Sequence, residues 1–270
     1  MKAKKSFGQH FLINEPLAEA IANGLLKEEG IKNVLEVGPG KGVLTKYLVR
    51  QDINLRVVEA DRDMVSYIEK QFPSLVDDII FLDFLKLHMG KVFDGEPFYL
   101  IGNFPYNISS QIIFKMLSHK ELIPEMVGMF QKELADRVIS GPGSKVYGVI
   151  SVLTQAYYEG STIHKVSPGS FSPPPKVQSS VIRLKRKPEG ELGVDYKALR
   201  SVVKTSFSQR RKMLRNTLKS LVKDTSILQE EQFQRRPEQL GLEEFVNIAK
   251  RIEYVNKNTK TDESGKENND

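Results

Sequence analysis

A glycine-rich loop follows the first strand-like run, Val34–Val37, and is the clearest ligand-binding feature of the sequence. Gly38, Gly40 and Gly42 permit positive φ angles and let the backbone approach a ligand that any side chain would keep away. The spacing departs from the dinucleotide fingerprint because Val43 stands where its third glycine would fall, and it also lacks the Gly-Lys-Ser/Thr of a P-loop. We therefore expect the loop to bind a nucleoside that bears a sulfonium rather than a pyrophosphate.

Acidic residues stand at the ends of successive strand-like runs. Glu36 precedes the glycine loop, and Glu59 ends the next run 21 residues after Gly38, where a ribose-binding carboxylate is expected. Asp83 ends the third run, where it would accept a hydrogen bond from an adenine amino group. One such acid alone is more commonly a helix cap, which is the role we expect for Asp61. Acids at three strand ends favour a nucleoside site.

The turn Asn103-Phe104-Pro105-Tyr106 follows the fourth strand-like run and resembles the Asn-x-Pro-Tyr motif of amino-methyltransferases that act on adenine or cytosine. An exocyclic amine is a poor nucleophile because its lone pair is delocalised into the ring. If the Asn103 side-chain oxygen and the Phe104 carbonyl each accept one N–H, the lone pair is aimed at the methyl donor. Pro105 would stiffen the turn, and Tyr106 would stack on an extruded base. In isolation the segment also fits an ordinary Asn-Pro turn.

A second aromatic residue, Phe171, begins the proline-rich loop Phe171–Val177. The three consecutive prolines of this loop favour a stiff, extended backbone. Two roles for the ring are equally compatible with the sequence: it sandwiches the target base against Tyr106, or it anchors the loop in the core.

Composition excludes several classes of protein. The chain has 270 residues, a net charge of +6 and no cysteine, so thiolate catalysis, disulfides, iron–sulfur clusters and Cys-ligated zinc are impossible. The four histidines lack helical metal-ligand spacing, and no apolar run reaches the roughly 18 residues of a membrane span. The short apolar stretch after the basic start is too brief for a signal peptide. We expect a cytoplasmic protein with no metal and no membrane contact.

Strand-like and helix-like segments alternate from about residue 15 to about residue 140, which predicts an α/β fold with a mostly parallel sheet covered on both faces. The two last strand-like runs would complete this sheet as an antiparallel edge. The strand-like runs are Val34–Val37, Leu55–Val58, Ile79–Leu82, Phe98–Ile101, Met126–Phe130, Thr162–Val166 and Ser179–Lys185. The helix-like segments are Pro16–Glu29, Val43–Arg50, Met64–Gln71, Ser109–Ser118 and Val146–Tyr158.

A change of composition at residues 187–193 (KPEGELG) indicates a linker. We therefore predict a catalytic domain over residues 1–190, a small all-helical domain over 191–257 and a disordered tail over 258–270. Residues 196–223 hold nine Lys or Arg side chains and no acid, which favours a polyanionic partner. A solvated helix face would show the same charge pattern.

Taken together, seven segments resemble the rRNA adenine N6,N6-dimethyltransferase family, the methyltransferases associated with kasugamycin sensitivity. The matching segments are Lys5–Leu12 (KSFGQHFL), Val37–Gly42 (VGPGKG), Gly102–Ser109 (GNFPYNIS), Gln131–Arg137 (QKELADR), Ser144–Val152 (SKVYGVISV), Phe171–Val177 (FSPPPKV) and Phe207–Leu218 (FSQRRKMLRNTL). Their order and their span, from residue 5 to about residue 220, make the resemblance specific.

The resemblance implies a Rossmann-like methyltransferase sheet and S-adenosylmethionine as methyl donor. The sequence shows no exposed heptad seam, so we expect a monomer. The implied substrate is a pair of adjacent adenosines in a 3′-terminal hairpin of small-subunit (16S) rRNA, each dimethylated during 30S subunit biogenesis in a partly assembled subunit. The implied cofactor contacts are His10, Leu12, Gly38, Gly40, Glu59, Asp83 and Asn103. Two residues depart from the family pattern: His10 replaces the Asn of many members, and Phe104 replaces the more usual Leu.

The resemblance also gives the basic segment a role in binding RNA. Four apolar residues of 206–223 share one helical face, and basic residues share another. The apolar set is Phe207, Leu214, Leu218 and Leu221, and the basic set is Lys212, Arg215, Lys219 and Lys223. The expected RNA ligands are Arg211, Lys212, Arg215 and Lys219. Two alternatives remain open on the residues: the same chemistry on DNA adenine, and a non-catalytic factor that only binds nucleic acid.

Overall fold

In the computed structural model, residues 10–26, 30–188 and 192–264 are described. The chain divides into two compact units. The first comprises the described residues of Met1–Asp136 with Tyr157–Lys187, and the second those of Arg137–Ala156 with Pro188–Asp270. The sequence did not indicate that residues 137–156 group with the C-terminal residues. The division into two domains at residue 190 stays a prediction.

The first unit alternates strands with helices. The elements up to the fifth strand are β1 (Phe11–Leu12), α1 (Glu15–Ala22), β2 (Asn33–Val37), α2 (Thr45–Leu48), β3 (Asn54–Glu59), α3 (Arg62–Gln71), β4 (Ile79–Phe81) and β5 (Tyr99–Asn103). They are followed by α4 (Ser109–Ser118), β6 (Glu125–Gln131), α5 (Lys132–Ile139), α6 (Val149–Tyr157), β7 (Tyr158–Val166), β8 (Phe171–Ser172) and β9 (Ser179–Arg186). Helices α5 and α6 run across the points where the chain passes between the two units.

Seven of these strands form one sheet in the order β4-β3-β2-β5-β6-β9-β7. The first five are parallel, whereas β9 runs antiparallel to both β6 and β7. The order reverses between β2 and β5, and open α/β sheets bind ligands at the carboxyl ends of the strands beside such a reversal. The Rossmann-like α/β class with an antiparallel addition at one edge is confirmed.

Burial explains why the central strands have this form. Strands β2 and β6 are buried along nearly their whole length, which is typical of parallel strands covered on both faces. Each predicted strand is present within a few residues of its expected bounds. The structure adds a two-stranded ribbon that the sequence did not predict, in which β1 pairs antiparallel with β8. Two-residue strands are too short for hydrophobic alternation to indicate.

Helix α1 begins as the sequence predicts and ends earlier. Asn14 caps it, since its side chain accepts a hydrogen bond from the Leu17 amide at 3.1 Å. The helix ends at Ala22 rather than at Glu29, and residues 27–29 lie outside the described part of the chain. Gly24 lies just beyond the C-cap residue Asn23 and disfavours continuation of the helix.

The second unit continues with α7 (Tyr196–Phe207), α8 (Leu214–Thr217) and α9 (Leu242–Ser264). The expectation of one continuous helical face over 206–223 is wrong, because α7 ends at Phe207 and α8 has only one turn. A 3-10 helix over Leu218–Leu221 follows α8. The separation of side chains survives this break: Leu214 and Leu218 are buried, whereas the neighbouring basic residues Lys212, Arg215 and Lys219 are exposed.

Helix α9 also differs from the sequence-based expectation. It runs to Ser264 and so enters the segment 258–270 for which we predicted disorder, while residues 265–270 lie outside the described range. Extension adds one hydrogen bond per residue to a helix that is already nucleated, so no buried apolar side chain is required to continue it.

Candidate active site

A cleft opens at the carboxyl edge of the parallel strands, at the reversal of strand order. It is formed by residues of the first unit only. Ten of the eleven residues predicted for catalysis or cofactor binding line it: His10, Leu12, Gly38, Gly40, Glu59, Asp83, Asn103, Phe104, Pro105 and Tyr106. The fold thus brings together residues that are up to 96 positions apart in the chain.

The glycine loop after β2 requires glycine for two different reasons. Gly38, Gly40 and Gly42 have φ angles of 67°, 55° and 73°, which only glycine adopts readily. A Cβ on Gly40 would lie 3.3 Å from the Phe11 ring, on the side of the cleft. A Cβ on Gly42 would lie 2.4 Å from the Phe72 ring, so this glycine serves packing of the loop rather than ligand approach.

Glu59 is fixed at the end of β3 by backbone amides. Its carboxylate accepts from the amides of Ala60 and Asp61, both at 2.9 Å, and from the Gly40 amide at 3.3 Å. The last bond joins the carboxylate directly to the glycine loop. Burial raises the pKa of Glu59, and the three amide donors oppose that rise. The carboxylate is therefore held in one orientation, with further lone pairs for a bound diol.

Two other acids of this region have distinct roles. Asp61 caps α3, accepting from the Asp63 amide at 3.1 Å, as the sequence predicts. Glu36 is buried in the cleft wall, where it accepts a 2.7 Å hydrogen bond from the Thr45 hydroxyl. Burial raises the pKa of Glu36 to about 8, and the nearby charge of Glu59 adds to the rise. Glu36 is thus largely protonated at neutral pH.

Asp83 projects from the segment that follows β4. It is half-buried, lines the cleft and accepts a 2.9 Å hydrogen bond from the Leu85 amide. Leu82 and Phe84 flank it and also line the cleft. Apolar side chains and one acceptor in the same part of the cleft lining suit a planar heterocycle with an edge amine. Sequence reasoning found the acid and missed these neighbours, although their position beside a strand-end acid could have indicated them.

The Asn103–Tyr106 turn is held by hydrogen bonds on both sides. The Asn103 side-chain amide donates to the His10 carbonyl at 3.0 Å, which fixes which end of the amide carries the oxygen. The Phe104 amide donates to the Met129 carbonyl at 3.2 Å, and the Ser109 hydroxyl donates to the Pro105 carbonyl at 2.8 Å. The turn is therefore rigid before any ligand binds.

The Phe104 ring anchors this turn in the core. It is 1% exposed and packs against the Phe130 ring with a centroid separation of 5.0 Å. Glycine at two neighbouring positions makes room for it: a Cβ on Gly128 would lie 2.1 Å from the ring, and one on Gly102 would lie 2.9 Å from it. The departure from the usual Leu is therefore accommodated below the turn.

Tyr106 and His10 form a stacked pair at the mouth of the cleft. Their rings lie 5.3 Å apart at an interplanar angle of 29°. The Tyr106 hydroxyl shares a 2.5 Å hydrogen bond with Ser179, and a His10 ring nitrogen lies 2.9 Å from the Pro173 carbonyl. Burial raises the pKa of Tyr106. His10 therefore contacts the turn twice, through its carbonyl at Asn103 and through its ring at Tyr106.

Phe171 does not face Tyr106 in the cleft, and this corrects the sandwich prediction. Its side chain is 2% exposed and belongs to the same hydrophobic cluster as Leu12 and Val166. Strand pairing of β8 with β1 turns the ring inwards, opposite Leu12. The alternative role, an anchor of the proline-rich loop, fits this burial.

Comparison with known families identifies the chain. The family model described as ribosomal RNA adenine dimethylase matches residues 1–257. This chain belongs to the ribosomal RNA adenine dimethylase family. It is similar to the Ribosomal RNA small subunit methyltransferase A of Bacteroides thetaiotaomicron, with 50% identity over 254 residues that cover 94% of this chain and 95% of the relative. The protein of the same name from Flavobacterium johnsoniae is 49% identical over 253 residues, covering 94% and 97%.

Solved structures support the fold of this dimethylase. A dimethyladenosine transferase from Plasmodium falciparum matches with a TM-score of 0.75 and 24% identity over 92% of this chain and 98% of that one. The 23S rRNA methyltransferase ErmE matches with a TM-score of 0.65 and 22% identity over 90% and 99%. The resemblance inferred from the sequence motifs is confirmed at the level of the family.

The basic segment of the dimethylase lies in its second unit. Arg211, Lys212, Arg215 and Lys219 are all exposed, as an RNA-binding role requires. The neighbouring Arg210 is different: its guanidinium donates to the carbonyls of Tyr147 and Ser144 at 2.8 and 2.9 Å. One arginine thus braces the loop before α6, while its neighbours present their charge to solvent.

Among the described residues of the dimethylase, no helix combines the length and apolar character needed to cross a membrane. The same residues contain no cluster of three or more His, Cys, Asp or Glu side chains suited to a metal ion.

Proposed function

We propose that this chain transfers methyl groups from S-adenosylmethionine to the 6-amino groups of two adjacent adenosines in a 3′-terminal hairpin of small-subunit rRNA, dimethylating each. One observation carries the proposal: the Asn103–Tyr106 turn and the Glu59-bound glycine loop line the same cleft. Membership of the ribosomal RNA adenine dimethylase family and the names of the relatives support the substrate.

The cleft fits the cofactor at three points. Gly38 and Gly40 line the cleft, and neither carries a side chain that would keep a ligand away from the backbone. Glu59 would accept both ribose hydroxyls, and Asp83 would accept the adenine amine. His10 and Leu12 at the edge of the cleft, with Asn103, complete the predicted set. When bound, S-adenosylmethionine supplies a methyl group activated by a sulfonium.

The turn would orient the target amine. With its amide nitrogen donating to His10, Asn103 offers its side-chain oxygen as an acceptor, and the Phe104 carbonyl offers a second. Two acceptors for two N–H bonds leave the nitrogen lone pair pointing in one direction. Well-oriented reactants can have a barrier that is lower by roughly 7–11 kcal/mol. Positioning of the amine by this turn could supply several kcal/mol of that reduction, on the order of half. The nitrogen loses its proton readily once it is alkylated, so this chain needs no strong base.

Tyr106 would hold the flipped base by stacking, which contributes roughly 1–3 kcal/mol per base. The His10 ring braces Tyr106 through their stacked contact, so the tyrosine does not have to be ordered when the base arrives. Phe104 and Pro105 keep the two acceptor oxygens in place below the base. Phe171 supports the site only indirectly, through the loop that it anchors in the core.

The same two acceptors would favour release of the finished product. An unmethylated adenosine offers two N–H donors to Asn103 and Phe104, whereas a dimethylated one offers none. Loss of two hydrogen bonds, each worth roughly 0.5–1.5 kcal/mol, favours ejection after the second transfer. Equal affinity of the enzyme for unmodified and dimethylated hairpins would contradict this step.

The exposed residues Arg211, Lys212, Arg215 and Lys219 would bind the RNA backbone. Nine basic residues and no acid in 196–223 give the positive field that a polyanion requires. The substrate would be rRNA within a partly assembled 30S subunit, bound by a monomer in the cytoplasm. These features extend the family assignment to a particular partner and assembly state.

Methyl transfer from labelled S-adenosylmethionine to three substrates tests the proposal: small ribosomal subunits from a strain that lacks the modification, free rRNA and duplex DNA. We expect label in N6,N6-dimethyladenosine of the subunits, and a loss of label with the Asn103→Ala variant. Preferred labelling of duplex DNA would assign the same chemistry to a different substrate and contradict the proposal. Retention of full activity by Asn103→Ala would contradict the mechanism.

A further inference from the structure

Helix α4 connects the two halves of the cleft. It begins directly after the Asn103–Tyr106 turn, where the Ser109 hydroxyl donates to the Pro105 carbonyl at 2.8 Å. Near its other end it carries Lys115, whose ammonium donates to the carbonyls of Leu85 and Leu87 at 2.9 and 2.6 Å. The helix is thus bonded at one end to the amine-binding turn and at the other to the segment that follows Asp83.

The ammonium of Lys115 has unusual surroundings for a lysine. The side chain is half-buried, and its ammonium lies 5.6 Å from the centre of the Phe84 ring. Burial lowers the pKa of Lys115, and the negative charge of Asp83 opposes this shift. A lysine costs free energy in such a place unless its donors are satisfied, and here two carbonyls and an aromatic face receive it.

A short chain of bonds joins Lys115 to Asp83. Lys115 donates to the Leu85 carbonyl, and the amide of the same Leu85 donates to the Asp83 carboxylate at 2.9 Å. Phe84, which lies between Asp83 and Leu85 in the sequence, is buried and lines the cleft. Removing the ammonium would free the 84–87 segment on one side and leave two carbonyls without their charged donor. The direction in which Asp83 points into the cleft would then be less well fixed.

We infer that Lys115 is a positioning residue that orients Asp83 for recognition of the cofactor's adenine amine. The inference rests on the proposed function, in which Asp83 accepts a hydrogen bond from that amine. Lys115 itself lies outside the set of residues that line the cleft. It acts through the Leu85 peptide, so we expect its effect at the adenine end of the cofactor and not at the amine-binding turn.

The test uses two thioether probes that differ only at the base, S-adenosylhomocysteine and S-inosylhomocysteine. The first carries an amine that donates to Asp83, and the second carries a carbonyl oxygen at that place, which faces the carboxylate unfavourably. Their dissociation constants, measured by calorimetry on the full-length protein, give a discrimination ratio for each variant. Because both values come from one preparation, the ratio does not depend on the fraction that is folded.

We expect a ratio that favours adenine in the wild type and collapses in Asp83→Ala. Lys115→Met should lower the ratio about two- to tenfold, the range for the loss of one hydrogen bond, while Lys115→Arg keeps most of it. The matched control is Lys86→Met, which removes an exposed lysine from the same segment and should leave the ratio unchanged. At saturating cofactor, kcat of Lys115→Met should stay within about twofold of the wild type, since the defect is one of cofactor binding.

Two outcomes separate the inference from the function beneath it. If Asp83→Ala lowers the ratio and Lys115→Met does not, the role of Lys115 is overturned and the cofactor site stands. If Asp83→Ala keeps the wild-type ratio, the assignment of Asp83 itself fails. An equal loss of affinity for both probes in Lys115→Met would show a general structural defect and would also overturn the inference.

Discussion

The cleft of the first unit and the basic segment 208–223 of the second unit use polar side chains in opposite ways. In the cleft each functional group is held by neighbours: Glu59 by three amides, Asn103 by the His10 carbonyl and Tyr106 by Ser179. In the basic segment the side chains expected to bind RNA are exposed. Only the apolar residues of that segment, such as Leu214, are buried.

This difference reflects two kinds of recognition. Methyl transfer depends on fractions of an ångström, so its groups must be fixed before the substrate arrives. Phosphate binding is a sum of screened charges, each replaceable by its neighbour, and it gains little from fixed geometry. Substitutions in the cleft should therefore act abruptly and one at a time, whereas those in the basic segment should act gradually and depend on salt.

The largest effect is expected from Asn103→Ala. Loss of an acceptor that orients the amine should lower kcat about 10²–10³-fold, by analogy with removal of one preorganised group from an oxyanion hole. Affinity for rRNA should change little, because the basic segment is intact. Single-turnover methylation with a parallel filter-binding assay checks both values. Asn54→Ala, an exposed residue at the start of β3, is the matched control and should behave as wild type.

Glu36→Gln tests the buried side of the comparison through pH. The pKa of Glu36 is raised from 4.5 to about 8 in the folded protein, so its favourable contribution is fully present below pH 4.5 and is lost as the pH rises through 8. Glutamine does not titrate and can still accept from Thr45. The free energy of unfolding of the variant minus that of the wild type should therefore increase by up to about 1.4 kcal/mol per pH unit across that interval.

Denaturant titrations of both proteins between pH 5 and pH 9 provide the measurement. The difference between them should grow with pH and level off above about pH 8. Parallel curves over the whole range would mean that Glu36 is ionised in the folded protein at neutral pH, and the account of the cleft wall would be wrong.

The sequence was most informative about the cleft because its chemistry is local in the chain. Gly38, Gly40 and the Asn103–Tyr106 turn each lie in one short segment after a strand, so motif and fold agree. The contacts that reach across the chain were invisible: the pairing of β1 with β8, the His10–Tyr106 stack and the inward turn of Phe171 join segments far apart in sequence. Their energies are set by tertiary packing, which local patterns do not encode.

The basic segment shows the opposite limit. Its charge and its buried leucines were predicted, but the continuous helix was not realised, because α7 ends at Phe207 and the chain turns before α8. The spacing of Leu214 and Leu218 in the sequence fits a single long helix, but it fits a short helix followed by a 3-10 helix equally well. Periodicity over so few turns does not define where a helix ends.

Reversal of three basic residues sharpens the comparison at the second unit. The variant Lys212→Glu, Arg215→Glu, Lys219→Glu should weaken binding to small subunits about tenfold at low salt. Each lost phosphate contact should reduce the magnitude of the slope of log affinity against log salt by roughly 0.7, so the three together should reduce it by about two. Its kcat on saturating substrate should stay near wild type. The control reverses Lys70, Lys86 and Lys91, three exposed lysines of the first unit, with the same change in net charge. An equal loss of affinity in the control would mean that the effect comes from overall charge and not from the basic segment.

The smallest effect is expected from His10→Ala. The variant loses the ring stacked on Tyr106, a contact of about 0.5–1.5 kcal/mol, but keeps the backbone carbonyl that receives Asn103. The KM for rRNA should rise about two- to tenfold, and His10→Phe should restore it. Calorimetry with S-adenosylhomocysteine on both variants separates this loss from the cofactor contact predicted for His10, which would lower cofactor affinity in His10→Ala and His10→Phe alike. An unchanged KM for rRNA in His10→Ala would contradict the bracing of Tyr106 by the ring.

The most direct test of the central claim is a crystal structure of the enzyme with S-adenosylhomocysteine and the small-subunit rRNA hairpin. We expect a flipped adenine stacked on Tyr106, with its amine within hydrogen-bond distance of the Asn103 side-chain oxygen and the Phe104 carbonyl, and the thioether sulfur facing that amine. An adenine bound elsewhere in the cleft, or an amine directed away from both oxygens, would contradict the account.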